Sequence, residues 1–480
     1  MPQGIDRRAF LAAAGTGAAA ALWGRYGVAP GAQAGEAPGG GRPPNIIFLL
    51  TDDQGYGDLS CHGHPFLKTP NFDRLREQSV RFPDFQVSPI CSPTRCALMT
   101  GRHEYRSGVT HTRGPGQQMD LQAVTIAQVL KSAGYATGLF GKWHLGEPAE
   151  YQPFNRGFDE SWSYLTGIIS EDMPAQNRSY FDPILLHRGK HEQTSGYYTD
   201  AFFNLAMKWI DSVRGRQPFF CYLPTGAVHA PSRCSAEYAK LYADQAKTPE
   251  LAAYFGTMAN LDDNLGRLLA QLKAWDLERD TLLIYMSDNG AAVKAGFFKD
   301  GAPMTVYNAG MRGGKGSVYQ GGTRVPSFWR WPAAFPGGVD VAQLASNVDF
   351  FPTIVEITGA KAPAGVQLDG RSLLPLLQNP KADWSDRFVF LHASNQGGPP
   401  EQRKNEGCAV RNGQFSLIDH KHLYDLKADP GQNNDVSAQH APLVAQMQAA
   451  YDQWWSEVAP HMRVAALPAG STHEYENMIG

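Results

Sequence analysis

Two acidic pairs stand directly after apolar runs. Asp52-Asp53 follow Asn45–Thr51 (NIIFLLT), and Asp288-Asn289 follow Thr281–Ser287 (TLLIYMS). Three carboxylates and an amide carbonyl are hard oxygen donors, which suit Ca2+ or Mg2+ rather than Zn2+. Asp-Asp and Asp-Asn-Gly also form ordinary surface turns. Adjacent carboxylates beside a buried strand, however, are costly unless a cation neutralises them. Two further apolar runs lead into basic groups: Tyr135–Phe140 into Lys142 and His144, and Phe219–Leu223 into His229. A lysine offers an anion a point charge, and a histidine can give or take a proton near neutral pH. Cys91-Ser92-Pro93-Thr94-Arg95 adds a thiol and a guanidinium. Ser92 can cap a helix and Pro93 suits its first turn. Cys91 then stands at a helix N-terminus, where free N–H groups favour an anion.

The elements that must position these groups are legible around them. Continuous apolar runs of strand length indicate strands buried on both faces. Helical patterns lie between them at Leu121–Ala133, Asp200–Val213 and Glu250–Trp275, the first stopping at Gly134 as a C′ glycine. Strands alternating with helices predict an α/β fold, a large and mostly parallel sheet sandwiched by helices. In such sheets ligands bind outside the carboxyl ends of the strands, where the acids and bases stand here. After Leu377 the texture changes. Arg387–His392 is a candidate strand, Cys408–Arg411 and Gln414–Ile418 flank the hairpin signal Asn412-Gly413, and Ala441–Trp455 is an amphipathic helix. These predict a small C-terminal antiparallel sheet with one packed helix.

Composition narrows the class. The chain has 480 residues, 42% of them hydrophobic and 19% charged, enough to bury a large core. A net charge of −3 gives no general attraction to nucleic acid or acidic membranes. The 50 glycines and 33 prolines are not periodic, which excludes collagen-like and solenoid architectures. Arg7-Arg8-Ala9-Phe10-Leu11 opens an Ala-rich run to about Leu22, and Ala32-Gln33-Ala34 offers a cleavage site. That order is expected of a twin-arginine export signal, too short for a membrane span. The expected division is a signal peptide at 1–34, a flexible leader at 35–44, a catalytic α/β domain at 45–377, a C-terminal α+β subdomain at 378–465 and a tail at 466–480. Six cysteines in an exported chain permit disulfides, but a chain this large does not need them. Most are expected to be buried and structural.

These segments together resemble the type I sulfatases of the alkaline phosphatase superfamily. The resemblance is carried by Asp52–Asp58 (DDQGYGD), Cys91–Arg102 (CSPTRCALMTGR), Gly141–Gly146 (GKWHLG), His229-Ala230-Pro231, Ser287–Gly290 (SDNG) and Gly313–Ser317 (GGKGS). Gly321–Pro326 (GGTRVP) and Leu423–Leu426 (LYDL) add to it, in family order over residues 45 to about 460. Thr94 stands where many members have Ser. Cys96 stands where many have Ala, and as a second thiol it could compete for oxidation.

The resemblance implies an alkaline phosphatase-like fold and hydrolysis of a sulfate monoester, aryl or carbohydrate. It implies that a formylglycine-generating enzyme oxidises Cys91 to formylglycine, whose hydrate supplies the nucleophile. By position, Asp52, Asp53, Asp288 and Asn289, with the modified Cys91, would hold Ca2+ or Mg2+. Arg95 would neutralise the acids and hold the hydrate, and Lys142 and Lys315 would grip sulfate. His229 would protonate the leaving oxygen, and His144 would take a proton from the hydrate. Asp58 and Trp143 are expected to support the site by packing. The implied partners are a sulfated small molecule or glycan, the maturation enzyme and the twin-arginine machinery, with no nucleic acid and no stable membrane anchor. The expected location is periplasmic or extracellular in a bacterium. Two alternatives stand beside this reading: a phosphate or phosphonate monoester hydrolase of the same superfamily, and an inactive exported glycan-binding protein. Specificity is expected from loops, with Ser161–Tyr198 and Ser394–Gly407 as the candidates.

Overall fold

The computed structural model describes residues 43–166, 179–292, 307–362, 364–393 and 400–462. The expected signal peptide, the leader to residue 42 and the tail lie outside the described residues, as do residues 167–178 and 394–399 of the two candidate specificity stretches.

The four apolar runs form four neighbouring strands: β1 (Asn45–Thr51), β2 (Ala136–Lys142), β3 (Phe219–Pro224) and β4 (Thr281–Ser287). Their spatial order is β4-β1-β3-β2 and all pairings are parallel. Ser327–Arg330 runs antiparallel to β4, and the short strands Val80–Arg81 and Val339–Asp340 complete that edge. Glu160–Tyr164 joins β2 in parallel, followed by the antiparallel hairpin Ile184–His187 and Lys190–Gln193. The result is a ten-stranded mixed sheet, parallel at its centre.

Period-two geometry explains why the central strands are apolar throughout. In β1, Ile46, Phe48 and Leu50 pack into one helical layer with Leu98, Met99, Ile126, Phe350 and Ile354. Ile47 and Leu49 pack into the other with Phe72, Leu75, Phe202, Leu261 and Leu265. The predicted sandwich of helices about a mostly parallel sheet is the observed one.

Several boundaries differ from the sequence reading for local reasons. The helix expected from Leu121 begins at Ile126. Thr125 and Gln128 form a reciprocal capping box, and the carbonyls of Asp120, Leu121 and Ala123 accept bonds from Arg156 instead of joining a helix. Gly134 does take the left-handed backbone of a C′ glycine, with φ 87°.

Near the C-terminus, Val389–His392, Cys408–Arg411, Phe415–Ile418 and His422–Asp425 form an antiparallel four-stranded sheet. Its hairpin is shifted by one residue from the expected turn. Asn412 N–H donates to the Phe415 carbonyl, so Gly413 and Gln414 form the tip. The Asn412 side chain draws the turn together, with Oδ1 accepting from the N–H groups of Gln414 and Phe415. Helix Ala441–Val458 covers one face through Met447, Tyr451, Trp454 and Trp455. The other face packs Leu391, Ala409 and Ile418 against Val318 and Leu344. All six cysteines are free thiols, four of them buried. No helix among the described residues is long and apolar enough to cross a membrane.

Phe48 stacks on Tyr222 and Phe350 with ring centroids 5.3 and 4.5 Å away, at the middle of the sheet. Phe48→Ala is expected to destabilise the protein by about 3–5 kcal/mol. The drop should show as a lower midpoint in urea unfolding, and an unchanged midpoint would contradict this packing.

Candidate active site

Strand register brings the two acidic pairs together. Thr51 at the end of β1 lies opposite Ser287 at the end of β4, so Asp52 and Asp288 leave the sheet side by side. Asp288 N–H donates to the Thr51 carbonyl at 3.0 Å, and Asp53 N–H donates to Asp288 Oδ1 at 3.2 Å. β2 ends on Lys142, with His144 two residues on. The chain after β3 is sewn to the same place, since Val228 N–H donates to the Asp52 carbonyl just before His229. Asp53 and His144 both adopt left-handed backbones, with φ 60° and 59°. Neither is glycine, so the surrounding structure holds them there against a steric preference.

Cys91 enters from helix Cys91–Thr100. Ser92 is not its cap, contrary to expectation. The helix starts two residues earlier because Ile90 is extended and its carbonyl already accepts from Thr94 N–H. Cys91 is therefore the first helical residue, and Ser92 lies inside the first turn beside Pro93. The Cys91 sulfur and one oxygen each of Asp52 and Asp288 lie within 4.8 Å of one another. A second such group comprises Asp52, Asp53 and His229. Cys96 does not share the site; it packs into the core layer with Leu98 and Met99. Burial pushes its thiol up to about 12.

Three cations answer the three carboxylates. Arg95, fully buried, donates from Nε and Nη2 to Asp288 Oδ2 at 3.0 and 2.7 Å, and from Nη1 to the Lys142 carbonyl at 3.0 Å. Lys142 Nζ donates to Asp52 Oδ2 at 2.7 Å. Lys315 Nζ lies 2.7 and 2.9 Å from the two Asp53 oxygens. Burial alone would raise the Asp53 carboxyl, but Lys315, His229 and Lys142 outweigh it and hold Asp53 well below the usual carboxylate range. Burial and the Asp52 charge push Asp288 up, against Arg95. Burial likewise pushes the Cys91 thiol up, although Lys142 and Lys315 pull the other way.

Burial pushes both histidines down, and neighbouring cations push the same way. His229 falls to about 3 and His144 well below its ordinary value, so both rings are neutral at pH 7. His144 Nε2 faces the Thr112 carbonyl at 2.8 Å, which can only accept. The proton therefore sits on Nε2, and the buried Nδ1 is a bare acceptor without a partner among the described residues. By the same argument His229 Nδ1 donates to the Ala230 carbonyl, and its Nε2 lies 3.6 Å from Asp53.

The donor set fits a divalent cation. Asn289 Nδ2 donates to Asp53 Oδ1 at 2.8 Å, which turns the amide oxygen the other way. That Asn289 Oδ1 and the second oxygen of Asp52 are buried without partners among the described residues. Two orphaned buried oxygens beside two further carboxylates are what an oxygen-seeking cation requires.

Residues 44–360 match the sulfatase family, and residues 314–456 match the C-terminal region of N-sulphoglucosamine sulphohydrolase. The chain belongs to the sulfatase family. This sulfatase is 31% identical over 389 residues to N-acetylgalactosamine-6-sulfatase of Sus scrofa, covering 74% of the chain and 70% of that protein. It is 32% identical over 450 residues to human arylsulfatase A, covering 82% and 83%. The crystal structure of Ps i-CgsB in complex with k-i-k-neocarrahexaose superposes with a TM-score of 0.77 at 29% identity, covering 91% of this chain and 97% of that one. The chain is a sulfatase, an enzyme that hydrolyses sulfate esters.

The structure brings the sequence-predicted residues of this sulfatase together: Asp52, Asp53, Cys91, Asp288 and His229 by proximity, Arg95, Lys142, Asn289 and Lys315 through hydrogen bonds to the carboxylates, and His144 within the electrostatic reach of Lys142, Arg95 and Lys315. The Gly-rich stretch 313–322 allows close packing. A Cβ on Gly290 would lie 1.8 Å from the Gly321 carbonyl, so the stretch can close on the Asp288-Asn289 turn only at glycine. Sequence reasoning missed the Thr112 carbonyl, because a backbone group carries no residue-type signal. Trp143 is buried and donates from Nε1 to the Tyr151 carbonyl, as a supporting residue should.

Asp58 supports the turn after Asp53. Its Oδ2 accepts from Gly55 N–H and from the Tyr254 hydroxyl, both at 2.7 Å. Burial pushes its carboxyl up to about 7, against those two bonds. The folded state then binds a proton that the unfolded state releases above about pH 4, so this group's contribution to stability is lost as pH rises from about 4 to 7. Asp58→Asn should remove that slope. Urea unfolding of both proteins across the window checks it; equal pH slopes would show that Asp58 titrates normally.

Proposed function

We propose that this sulfatase cleaves the sulfate monoester of a carbohydrate, and accepts simple aryl sulfates, with a formylglycine made from Cys91 and a bound Ca2+ or Mg2+. The observation that carries the reading is the pair of orphaned oxygens on Asp52 and Asn289, set beside Cys91 at the start of a buried helix. The relatives named for N-acetylgalactosamine-6-sulfate and for a neocarrahexaose complex support a carbohydrate.

Asp52, Asp53, Asp288 and Asn289 would hold the cation, with residue 91 beside it. When bound, the cation polarises a sulfate oxygen and offsets the negative charge of the cluster. The hydrated aldehyde would offer one hydroxyl as nucleophile toward sulfur and a second whose proton a base at residue 91 could take. Arg95 neutralises Asp288 and Asp52, its Nη2 lying 2.7 and 3.9 Å from their carboxylates. Lys142, paired with Asp52, and Lys315, paired with Asp53, hold the sulfate oxygens as point charges. His144 acts as base at residue 91, because its Nδ1 carries a lone pair while Thr112 holds the proton on Nε2. His229 acts as acid toward the leaving oxygen. The anionic ester beside its Nε2 favours the protonated ring, which the resting site does not.

Residues 45–377 would form the catalytic domain and 378–465 the supporting subdomain. Residues 1–34 would export the chain through the twin-arginine pathway to the periplasm or beyond.

Protein from its native host should yield a tryptic peptide Phe82–Arg95 with the mass of an aldehyde at position 91. Cys91→Ser should lose multiple turnover on 4-nitrophenyl sulfate, because serine lacks the second hydroxyl. A plain thiol in active enzyme would sink the formylglycine reading. Comparable rates on 4-nitrophenyl phosphate would favour the phosphatase alternative. Chelation with EDTA should abolish turnover, and added Ca2+ or Mg2+ should restore it; activity that survives complete metal removal would rule out the cation.

A further inference from the structure

We propose that Gln432, in the loop after strand His422–Asp425, is a positioning residue for the Lys315 ammonium. The inference rests on the reading above of Lys315 as a sulfate ligand.

Lys315 lies on a loop, residues 312–322, whose inner side is tied to both halves of the site. Lys315 N–H donates to the Ala291 carbonyl and Gly316 N–H to the Pro89 carbonyl, both at 2.8 Å. Gly290 N–H donates to the Gly322 carbonyl at 2.9 Å. Ala291 follows the Asp288-Asn289 turn, and Pro89 leads into Cys91.

The outer side is held by Gln432. Its Oε1 accepts from Gln320 N–H at 2.8 Å, and its backbone carbonyl accepts from Arg312 Nη1 at 3.2 Å. One residue of the C-terminal subdomain thus grips the loop near both of its ends. Gln432 is itself fixed, being fully buried and left-handed at φ 54°, with its N–H donating to the Asp429 carbonyl. Gln320 is tied a second time, since its Oε1 accepts from Arg411, which in turn pairs with Asp84 at 3.0 Å.

Gln320 N–H is a buried donor at the first turn of the short helix Gln320–Thr323. Without Oε1 it loses its acceptor, and the loop end is released to find another. A lysine ammonium rides on a flexible stem, so the placement of its backbone decides where the charge can reach. Displacements on the scale of 1 Å in positioning groups can cost up to about a hundredfold in rate.

Four single variants and one double variant test this on 4-nitrophenyl sulfate, with inorganic sulfate as the inhibitor. Gln432→Met keeps length and removes the acceptor; it should lower kcat/KM roughly tenfold and weaken inhibition by sulfate by a similar factor. Gln432→Glu keeps an acceptor and should restore most of both. Arg312→Ala removes an exposed side chain, cannot threaten the core, and should give a smaller loss of the same kind. In a Lys315→Ala background, Gln432→Met should cost little more, because both changes act on one interaction. The inference is overturned if Gln432→Met imposes its full loss on Lys315→Ala, or if Gln432→Met and Arg312→Ala both keep wild-type kinetics while Lys315→Ala is impaired. Should Gln432→Met fail to fold, the Arg312→Ala and Lys315→Ala pair serves the same comparison. Wild-type activity in Lys315→Ala would instead remove the role of Lys315, and with it this proposal.

Discussion

Three carboxylates buried at the ends of two adjacent strands set the terms for everything around them. In a low-dielectric interior such a group repels itself, and each unpaired charge costs several kcal/mol. The fold answers with three cations from three separate elements: a helix delivers Arg95, a strand end delivers Lys142, and a loop delivers Lys315. None of these elements neighbours another in sequence. Their convergence is the reason the large sheet, the helical layer on Cys91's side and the Gly-rich loop must all form before the site exists.

The same constraint explains the unusual backbone. Asp53 and His144 are left-handed, and each lies just past a strand end. A strand that simply continued would carry these side chains away from one another. The change of backbone direction comes at the carboxyl ends of the strands, and bonds such as Asp53 N–H to Asp288 and His144 N–H to the Leu165 carbonyl hold it. The small C-terminal sheet belongs to this arrangement, since one of its faces packs against the loop that carries Lys315.

Much of this was legible in the residues. Continuous apolar runs located the four central strands, because a strand covered on both faces has no polar side to interrupt it. The acidic pairs and basic groups then fell at strand ends. The order β4-β1-β3-β2 was not legible, since nothing local distinguishes one buried parallel strand from another. The two-residue edge strands carry too few side chains to show a period. Helix starts were missed where tertiary bonds decided them, as before Thr125, where the carbonyls of Asp120, Leu121 and Ala123 serve Arg156, and at Ile90, whose extended backbone did the work assigned to Ser92. Gln432 left no trace because its bonds to the loop of Lys315 reach groups more than a hundred positions away in the chain.

Cys91 is 1% exposed and is the first residue of a helix buried along its whole length. On the proposed chemistry, a maturation enzyme must draw this side chain into its own active site. The finished fold offers it no access, and opening the helix would dismantle the core layer built on Leu98 and Met99. Conversion therefore belongs to the nascent or unfolded chain. If the chain takes the proposed twin-arginine route, which carries folded proteins, the oxidation would have to be completed in the interval between synthesis and folding. Folding rate and oxidation rate would then compete, and a molecule that folds first would keep the buried thiol.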